Sequence, residues 1–440
     1  MGDQKMASAA DGRELALQTL LVITRDGEYS HIALKKILDE HQDLDKKERA
    51  FITRVVNGTL ERMIEIDYIL NRFSKVKVNK MKPVVCMILR MGVYQLKYMD
   101  HVPSSAICNE SVKLAARKGF SGLKGFVNGV LRNISRNISR IAEPGKEDMK
   151  KYLSVRYSLP EWMVEQWTEE YGEDTVEQIG QAFLEECPLT IRCNLTALGR
   201  EELIKELEKE GVAAKELVLP CALAISGYDH ISKLESFRKG YFYVQDLSSM
   251  YVAEWAAPPK GAYIIDVCAA PGGKAIHMAE KLSGTGHVQA RDLTDYKVGL
   301  LKDNIARSRL ENIEAVKWDA TVRDETAREK ADLVIADLPC SGMGVIGRKV
   351  DLKYKMTPKL QEDLVKLQRN ILSVVHAYVK PGGRLLYSTC TIHRAENEEN
   401  ARWFLKEQPQ FCLVKEQQMI PGRDSGDGFY IAMFEKQKNV

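Results

Sequence analysis

No run of this chain is apolar for long enough to span a bilayer, and the opening MGDQKMASAADGRE lacks the apolar core of a signal peptide. A membrane role is therefore not expected, and a cytoplasmic setting is. The nine cysteines are odd in number and widely spread, with no CxxC pair and no His/Cys cluster at zinc-ligand spacing. This argues against a disulfide framework and predicts reduced thiols without a structural metal. An overall excess of one charge is missing too, since 64 Lys/Arg stand against 61 Asp/Glu. What remains is an ordinary globular composition over 440 residues, enough for two or three domains.

The charge is present but unevenly spread. Residues 1–140 carry 24 Lys/Arg and 15 Asp/Glu, a balance of +9, and the other 300 carry 40 against 46, a balance of −6. Between Asp67 and Asp100 there are seven basic residues and no acid, and between Glu110 and Glu143 there are seven more, again with no acid. Uninterrupted positive stretches favour a polyanionic partner through counterion release. The same half of the chain reads as helix almost throughout. GRELALQTLLVITR, KERAFITRVVNGTLERMIEIDYILNRF, VVCMILRMGVYQLKYM and SSAICNESVKLAARKGF repeat apolar residues at helical spacing between short Gly, Pro and Asn breaks.

The expected organisation is three domains. A helical bundle over 1–142 ends near Pro144 and Gly145, and an α+β connector over 147–240 mixes helices with strand-like runs such as PLTIRCNL. Over 241–440, strands AYIIDVC, GHVQARD, IEAVKW, ADLVIAD and RLLYST alternate with helical segments, the pattern of a parallel sheet covered on both faces. Two final runs, QFCLVKEQQ and DGFYIAMFEK, read as an antiparallel closing pair. The fold class is thus multidomain, with an α/β Rossmann-like domain holding a seven-stranded, mostly parallel sheet.

In such sheets ligands gather beyond the carboxyl ends of the strands. The first of these ends is Asp266, followed by CAAPGGK and a helix, a loop that offers backbone N–H groups where glycine lets a ligand approach. No glycine lies five residues before Gly273, and Ala275 stands where a P-loop has Ser or Thr; GxGxxG is absent as well. A nucleoside cofactor without a pyrophosphate remains. Asp292 ends the second strand, where a carboxylate can accept from ribose hydroxyls, and Asp319, after the third, could reach an adenine amino group. Either could instead cap a helix or turn. S-adenosylmethionine fits this pattern best.

Cys340 in ADLPCSG and Cys390 in LLYSTCT each follow the end of an apolar run, after Pro339 and Thr389. Two thiols in one crevice suit methylation of carbon 5 of cytosine, a poor nucleophile until a thiolate adds to carbon 6. Loss of the carbon 5 proton and of the thiol gives a second acid/base group a role, and Asp337 could assist the addition at N3.

DVCAAPGGK, DLPCSGMGVIGRKVDLKY and LLYSTCTIHRAENEE resemble motifs I, IV and VI of the RNA 5-methylcytosine methyltransferases of the Sun/Fmu type. VQDLSSM and GFYIA are similar to that family's flanking motifs, and ERAFITRVVNGTL, LRMGVYQLKYMDHVPSSAICNESVKLA and FVNGVLRN resemble the NusB-like, RNA-binding domain of its RsmB subgroup. The resemblance implies that Cys390 is the nucleophile and that Cys340 assists product release. It implies an S-adenosylmethionine site made of Cys268, Ala269, Ala270, Pro271, Gly272, Gly273, Lys274, Asp292, Asp319 and Asp337, with Asp337 shared with the base. The implied substrate is a cytosine of 16S ribosomal RNA, rather than DNA, and a monomer is expected. Ala275 and Leu338 depart from the residues usual in the family. Two other readings stay open: the same chemistry on transfer RNA or another ribosomal cytosine, and a non-catalytic RNA-binding, antitermination-like factor.

Overall fold

A computed structural model of the protein describes residues 11–438, which pack into two compact units. The first holds residues 11–185 together with Ile346–Lys355, and the second holds Glu186–Val345 together with residues 356–438.

The first unit is helical, and its apolar stripes converge on the helix Pro83–Tyr98, which buries Val85, Ile88, Leu89, Met91 and Val93. Pro83 opens that helix, where a missing N–H costs nothing. Packed around it are Gly12–Arg25, Lys46–Glu61, Met63–Phe73, Ser104–Arg117 and Lys124–Asn137. Lys46–Glu61 begins with a capping box, in which Asp45 accepts from Glu48 N at 2.8 Å and Glu48 accepts from Asp45 N at 3.2 Å. The same helix crosses Pro83–Tyr98 at Gly58, where an added Cβ would lie 2.0 Å from Tyr94 Cζ, so only glycine lets the backbones approach. Three further helices, Met149–Tyr157, Glu161–Tyr171 and Glu173–Leu184, bury Trp167 among them.

Ile346–Lys355, a short excursion that follows Cys340 in sequence, belongs to this helical unit. Asp351 accepts from Ser30 N at 3.0 Å and from Ser30 Oγ at 2.6 Å, and Tyr354 Oη donates to Leu60 O at 2.7 Å. Lys353 is buried and donates to Glu61 O at 2.7 Å.

The second unit contains two sheets. The smaller is antiparallel in the order β2-β3-β1-β4, with β1 Leu189–Cys193, β2 Ala213–Glu216, β3 Ala222–Ser226 and β4 Phe242–Val244. Its core joins Ile191, Leu223 and Phe242 to Leu203 and Leu207 of the helix Arg200–Lys209. The larger sheet comprises β5 Tyr263–Asp266, β6 His287–Asp292, β7 Ile313–Lys317, β8 Ala331–Asp337, β9 Val379–Thr389, β10 Phe411–Met419 and β11 Phe429–Lys436. Their order is β10-β11-β9-β8-β5-β6-β7; β11 runs antiparallel to both neighbours and the other pairs are parallel. This is the seven-stranded sheet with an antiparallel closing pair that the sequence pattern predicts. The chain winds outward from β5 through β6 and β7, then returns to β8 on the other side of β5. That reversal makes the β5/β8 ends a topological switch point, where a crevice opens. Arg192 on β1, fully buried, joins the two sheets by donating to Gln245 Oε1 at 2.9 Å and by pairing with Glu280 of the helix Gly273–Lys281.

Burial pushes the Lys353 ammonium down to about 7 from the ordinary lysine value of 10.5. The unfolded chain therefore holds the extra proton between those two values, and stability should rise as pH climbs from about 7 toward 10.5. Lys353→Met should lower this slope by up to about 1.4 kcal/mol per pH unit. Urea unfolding of both proteins across that range checks it; identical slopes would mean that Lys353 stays charged in the folded state.

Candidate active site

The site is built where β8 and β9 end side by side. Their parallel pairing runs to Asp337 opposite Ser388 and continues past the strands, since Leu338 N donates to Ser388 O at 3.1 Å. Each chain then turns, and the two turns face each other residue by residue. Cys340 Sγ lies 3.0 Å from Cys390 Sγ, Cys390 N donates to Cys340 Sγ at 3.2 Å, and Ser341 Oγ is 2.8 Å from Thr391 Oγ1. Gly344 N closes the turn on Cys390 O at 3.1 Å. Both thiols are partly exposed. Cys340 is held well above the usual thiol range, first by its hydrogen bond to Cys390, then by burial and by the charges of Cys390 and Glu396.

Asp337 sits at the root of this pair. Its Oδ2 accepts from Lys274 Nζ at 2.6 Å and its Oδ1 from Ser388 Oγ at 2.8 Å. Burial works to neutralise Lys274, but Asp337 outweighs it and holds the ammonium above the ordinary lysine value; Asp266 and Cys390 add to this. The ammonium also lies 5.2 Å from the centre of the Phe429 ring. Lys274 is thus paired with Asp337 and interacts electrostatically with Cys390, which its position in the glycine loop does not announce.

Beside this, the loop from Cys268 to Gly273 turns off the end of β5. Ala269 N donates to Arg291 O at 2.8 Å, and Ala270 N to Asp292 Oδ2 at 3.0 Å, so the second strand's aspartate holds the first strand's loop. Asn304 Nδ2 steadies Pro271 O at 2.8 Å. Gly272 has a φ of +113°, and a Cβ there would press on Ile276 and Leu301 at 3.2 Å. Because Gly272 is also the N-cap of Gly273–Lys281, no side chain caps the first N–H groups of that helix. Cys268 is pushed far up by burial and by Asp266, so it is not a reactive thiol. Asp266 itself is buried with Oδ2 unpartnered, and burial together with Asp337 pushes it up to about 8. The sequence marks it only as a strand end.

The remaining aspartates differ in kind. Asp292 is buried, and its Oδ1 accepts from Leu293 N at 2.8 Å and faces Lys297 Nζ at 3.1 Å. Asp319 closes its own turn, accepting from Thr321 N at 2.9 Å and Thr321 Oγ1 at 2.7 Å. It lies beside the β6 end because Trp318 N donates to Asp292 O at 2.9 Å.

The second unit also gathers Cys221, Glu254 and His277, whose potential ligand atoms lie within 4.8 Å of one another. Lys281 Nζ already sits 3.0 Å from the shared Glu254 oxygen, and burial and Arg192 push His277 down to about 3. Its Nδ1 is buried without a partner, whereas a metal-bound imidazole needs an acceptor there. The group is therefore an ion pair beside a neutral histidine.

Comparison with known proteins decides the family. The model described as "16S rRNA methyltransferase RsmB/F" matches residues 253–435, the NusB family matches 10–136, and a RsmF/B-like ferredoxin-like domain matches 159–230. The "Probable ribosomal RNA small subunit methyltransferase B" of Bacillus subtilis (strain 168) is 35% identical over 445 residues, covering 97% of this chain and 98% of that one. The chain belongs to the RsmB/F methyltransferase family. A protein of the same description from Synechocystis sp. is 32% identical over 96% of the chain and 99% of its own length. The crystal structure of PH0851 superposes with a TM-score of 0.82 at 25% identity, covering 97% of this chain and 99% of that one.

Family membership makes S-adenosylmethionine the methyl donor. The crevice fits it: uncapped helix N–H groups, an unpartnered buried Asp266 oxygen and the Asp292 carboxylate lie along one edge of the sheet. No helix among the described residues is long and apolar enough to cross a membrane. Asp292→Ala removes a charged acceptor and releases the Ala270 loop at once. Hydrogen bonds to charged groups contribute about 1.5–3 kcal/mol, so affinity for S-adenosylmethionine should fall roughly 10- to 100-fold by calorimetry. Unchanged affinity would make Asp292 a cap alone.

Proposed function

We propose that this RsmB/F methyltransferase transfers the methyl group to carbon 5 of a cytosine in 16S ribosomal RNA through a covalent adduct on Cys390. The observation that carries the reading is the 3.0 Å approach of two partly exposed thiols beside the Lys274–Asp337 ion pair. A single nucleophile would need no second thiol at that distance.

The two sulfurs stand in different fields. The Lys274 ammonium interacts with Cys390 and favours its thiolate, whereas Glu396 and Cys390 both disfavour a negative charge on Cys340. Cys390 then adds to carbon 6, and the π electrons shift into the ring and make carbon 5 nucleophilic. Asp337 meets the N3 edge of the base. Since its oxygens already accept from Lys274 and Ser388, the proton given to N3 comes from the Lys274 ammonium. S-adenosylmethionine supplies an electrophilic methyl on a sulfonium sulfur. For release, Cys340 passes its proton to the departing Cys390 sulfur and takes the carbon 5 proton in its place, which restores the double bond, while N3 returns its proton to Lys274. The proton left on Cys390 is the one the overall reaction releases.

Support for a ribosomal RNA substrate comes from the family and from the helical unit. Between the helices Ser104–Arg117 and Lys124–Asn137 lies a groove of about 400 Å³ lined by Asn109, Lys113, Lys124, Asn128 and Arg132. Cations with amide side chains between them suit a phosphate backbone. Transfer RNA or another ribosomal cytosine would use the same site, and full-length similarity to small-subunit enzymes favours 16S. A monomer suffices for this chemistry, because the reacting groups all come from one chain.

Cys390→Ala should abolish turnover and adduct formation alike. Cys340→Ala should add to the base and methylate it, then stall, leaving a slower-migrating protein–RNA species on a denaturing gel. Turnover by Cys390→Ala, or no such species with Cys340→Ala, counts against the division of roles. In the groove, replacing Lys113, Lys124 and Arg132 together by alanine should lower the slope of log affinity against log salt by about 2 for small-subunit RNA. An unchanged slope would leave the groove outside the RNA contact.

A further inference from the structure

Past the TC cysteine, the segment HRAENEE carries a carboxylate whose hydrogen bonds the chemistry above leaves unused. Glu396 is fully buried, although it lies in a polar stretch. Its carboxylate takes hydrogen bonds from three elements. Ser341 N donates to Oε2 at 2.9 Å and Ser341 Oγ donates to Oε1, from the turn that carries Cys340. Gln368 Nε2, on the helix Pro358–Val375, donates to Oε2 at 2.9 Å and also to Pro339 O at 2.9 Å. His393 Nδ1 lies 3.3 Å from Oε1, and His393 N donates to Thr391 Oγ1 at 3.2 Å. Because Ser341 Oγ gives its proton to Glu396, the Thr391 hydroxyl donates to Ser341, which ties the turns of both cysteines to one carboxylate.

A buried anion that accepts only costs far more to desolvate than a neutral amide, and an apolar filler would pack as well. Its position beside one thiol of the pair is what a negative charge alone can use. Titratable groups that interact with the thiols include Lys274 at the sheet end and Glu396 and Tyr387 on the other side; Asp337 and His393 lie one step further out, on Lys274 and Glu396. The cation interacts with Cys390 and the buried anion with Cys340.

We infer that Glu396 is a positioning residue of the methyl-transfer site: its buried carboxylate clamps the Cys340 turn onto the Cys390 turn and assigns the proton of the thiol pair to Cys340. The inference rests on the cysteine roles proposed above, but it can be read without turnover. In the full-length protein, initial rates of iodoacetamide alkylation at each cysteine, mapped by peptide mass spectrometry across pH, report which sulfur is ionised. The wild type should label Cys390 at least about tenfold faster than Cys340 near neutral pH, a ratio of one pKa unit or more. Glu396→Gln keeps the shape and removes the charge, so Cys340 labelling should rise and the ratio fall about tenfold. Glu396→Asp, which restores the charge, should bring the ratio back.

Ser341→Ala removes the hydroxyl that links Glu396 to Thr391 and so loosens the clamp, while the Ser341 N bond and the charge remain. It should keep the wild-type labelling ratio and lower kcat several-fold without changing KM for RNA. Binding of S-adenosylmethionine by each variant certifies the fold, since its loop lies elsewhere. Should Glu396→Gln fail to bind it, the Ser341→Ala arm decides: a lowered kcat with an unchanged ratio supports the clamp. A Glu396→Gln ratio within twofold of the wild type overturns the proton assignment, and an unchanged kcat in Ser341→Ala overturns the clamp. Turnover by Cys390→Ala would sink the proposed roles while leaving the labelling result to judge Glu396 by itself.

Discussion

The parallel pairing of β8 with β9 is the constraint on which the rest of the site depends. Asp337 stands opposite Ser388 in the ladder, the pairing continues one step beyond the strands through Leu338 N and Ser388 O, and the turns that follow, shifted by one residue, bring Cys340 to Cys390 and Ser341 to Thr391. A slip of one residue would send every side chain of β9 to the other face of the sheet and would separate Cys340 from Cys390. The hydrophobic faces prevent that slip. Val334 and Leu385 lie in one cluster of buried residues, while Ile335 and Leu386 lie in the other. The chemistry therefore inherits its precision from ordinary core packing.

Around this ladder the charges are sorted. Lys274 and Asp337 neutralise each other at 2.6 Å, so a buried ammonium can persist next to a thiol. Glu396 lies beyond the thiols, hydrogen-bonded on both oxygens. The proposed mechanism asks a nucleophile and an acid/base group of the same residue type to take different roles, which requires different environments, and two buried groups of opposite sign would supply that difference. The cofactor loop is fastened by the same economy: Asp292 holds Ala270 N, and Arg192 binds Gln245 and Glu280 close to the helix that follows the loop.

Much of this was legible from residue order. Short apolar runs bounded by turn residues marked β5 to β9, and the residues just after them proved to converge, because a parallel sheet puts all its carboxyl ends on one side. The closing antiparallel pair was visible as two late apolar runs. Other features were not. Gln368 and Glu396 stand among polar neighbours that give no sign of burial, and only the tertiary fold turns them inward. Lys274 belongs to the glycine loop by sequence, yet its ammonium reaches Asp337, 63 residues away. Asp319 differs again, since one of its carboxylate oxygens closes a turn two residues on. The Ile346–Lys355 segment reads as the tail of the Cys340 motif, while its partners Ser30, Leu60 and Glu61 lie about 300 residues earlier. Local pattern carries no information about such a partner.

The central claim is that the ladder delivers Cys390, and not Cys340, to carbon 6 of a cytosine. It is tested most directly with small-subunit RNA transcribed with 5-fluorocytidine in place of cytidine. Fluorine cannot leave carbon 5 as a proton does, so the wild-type enzyme with S-adenosylmethionine should be trapped after methyl transfer. Peptide mapping of the denaturant-resistant complex should then find the nucleotide on the peptide that contains Cys390. Attachment at Cys340, or the absence of any stable complex, would contradict the account.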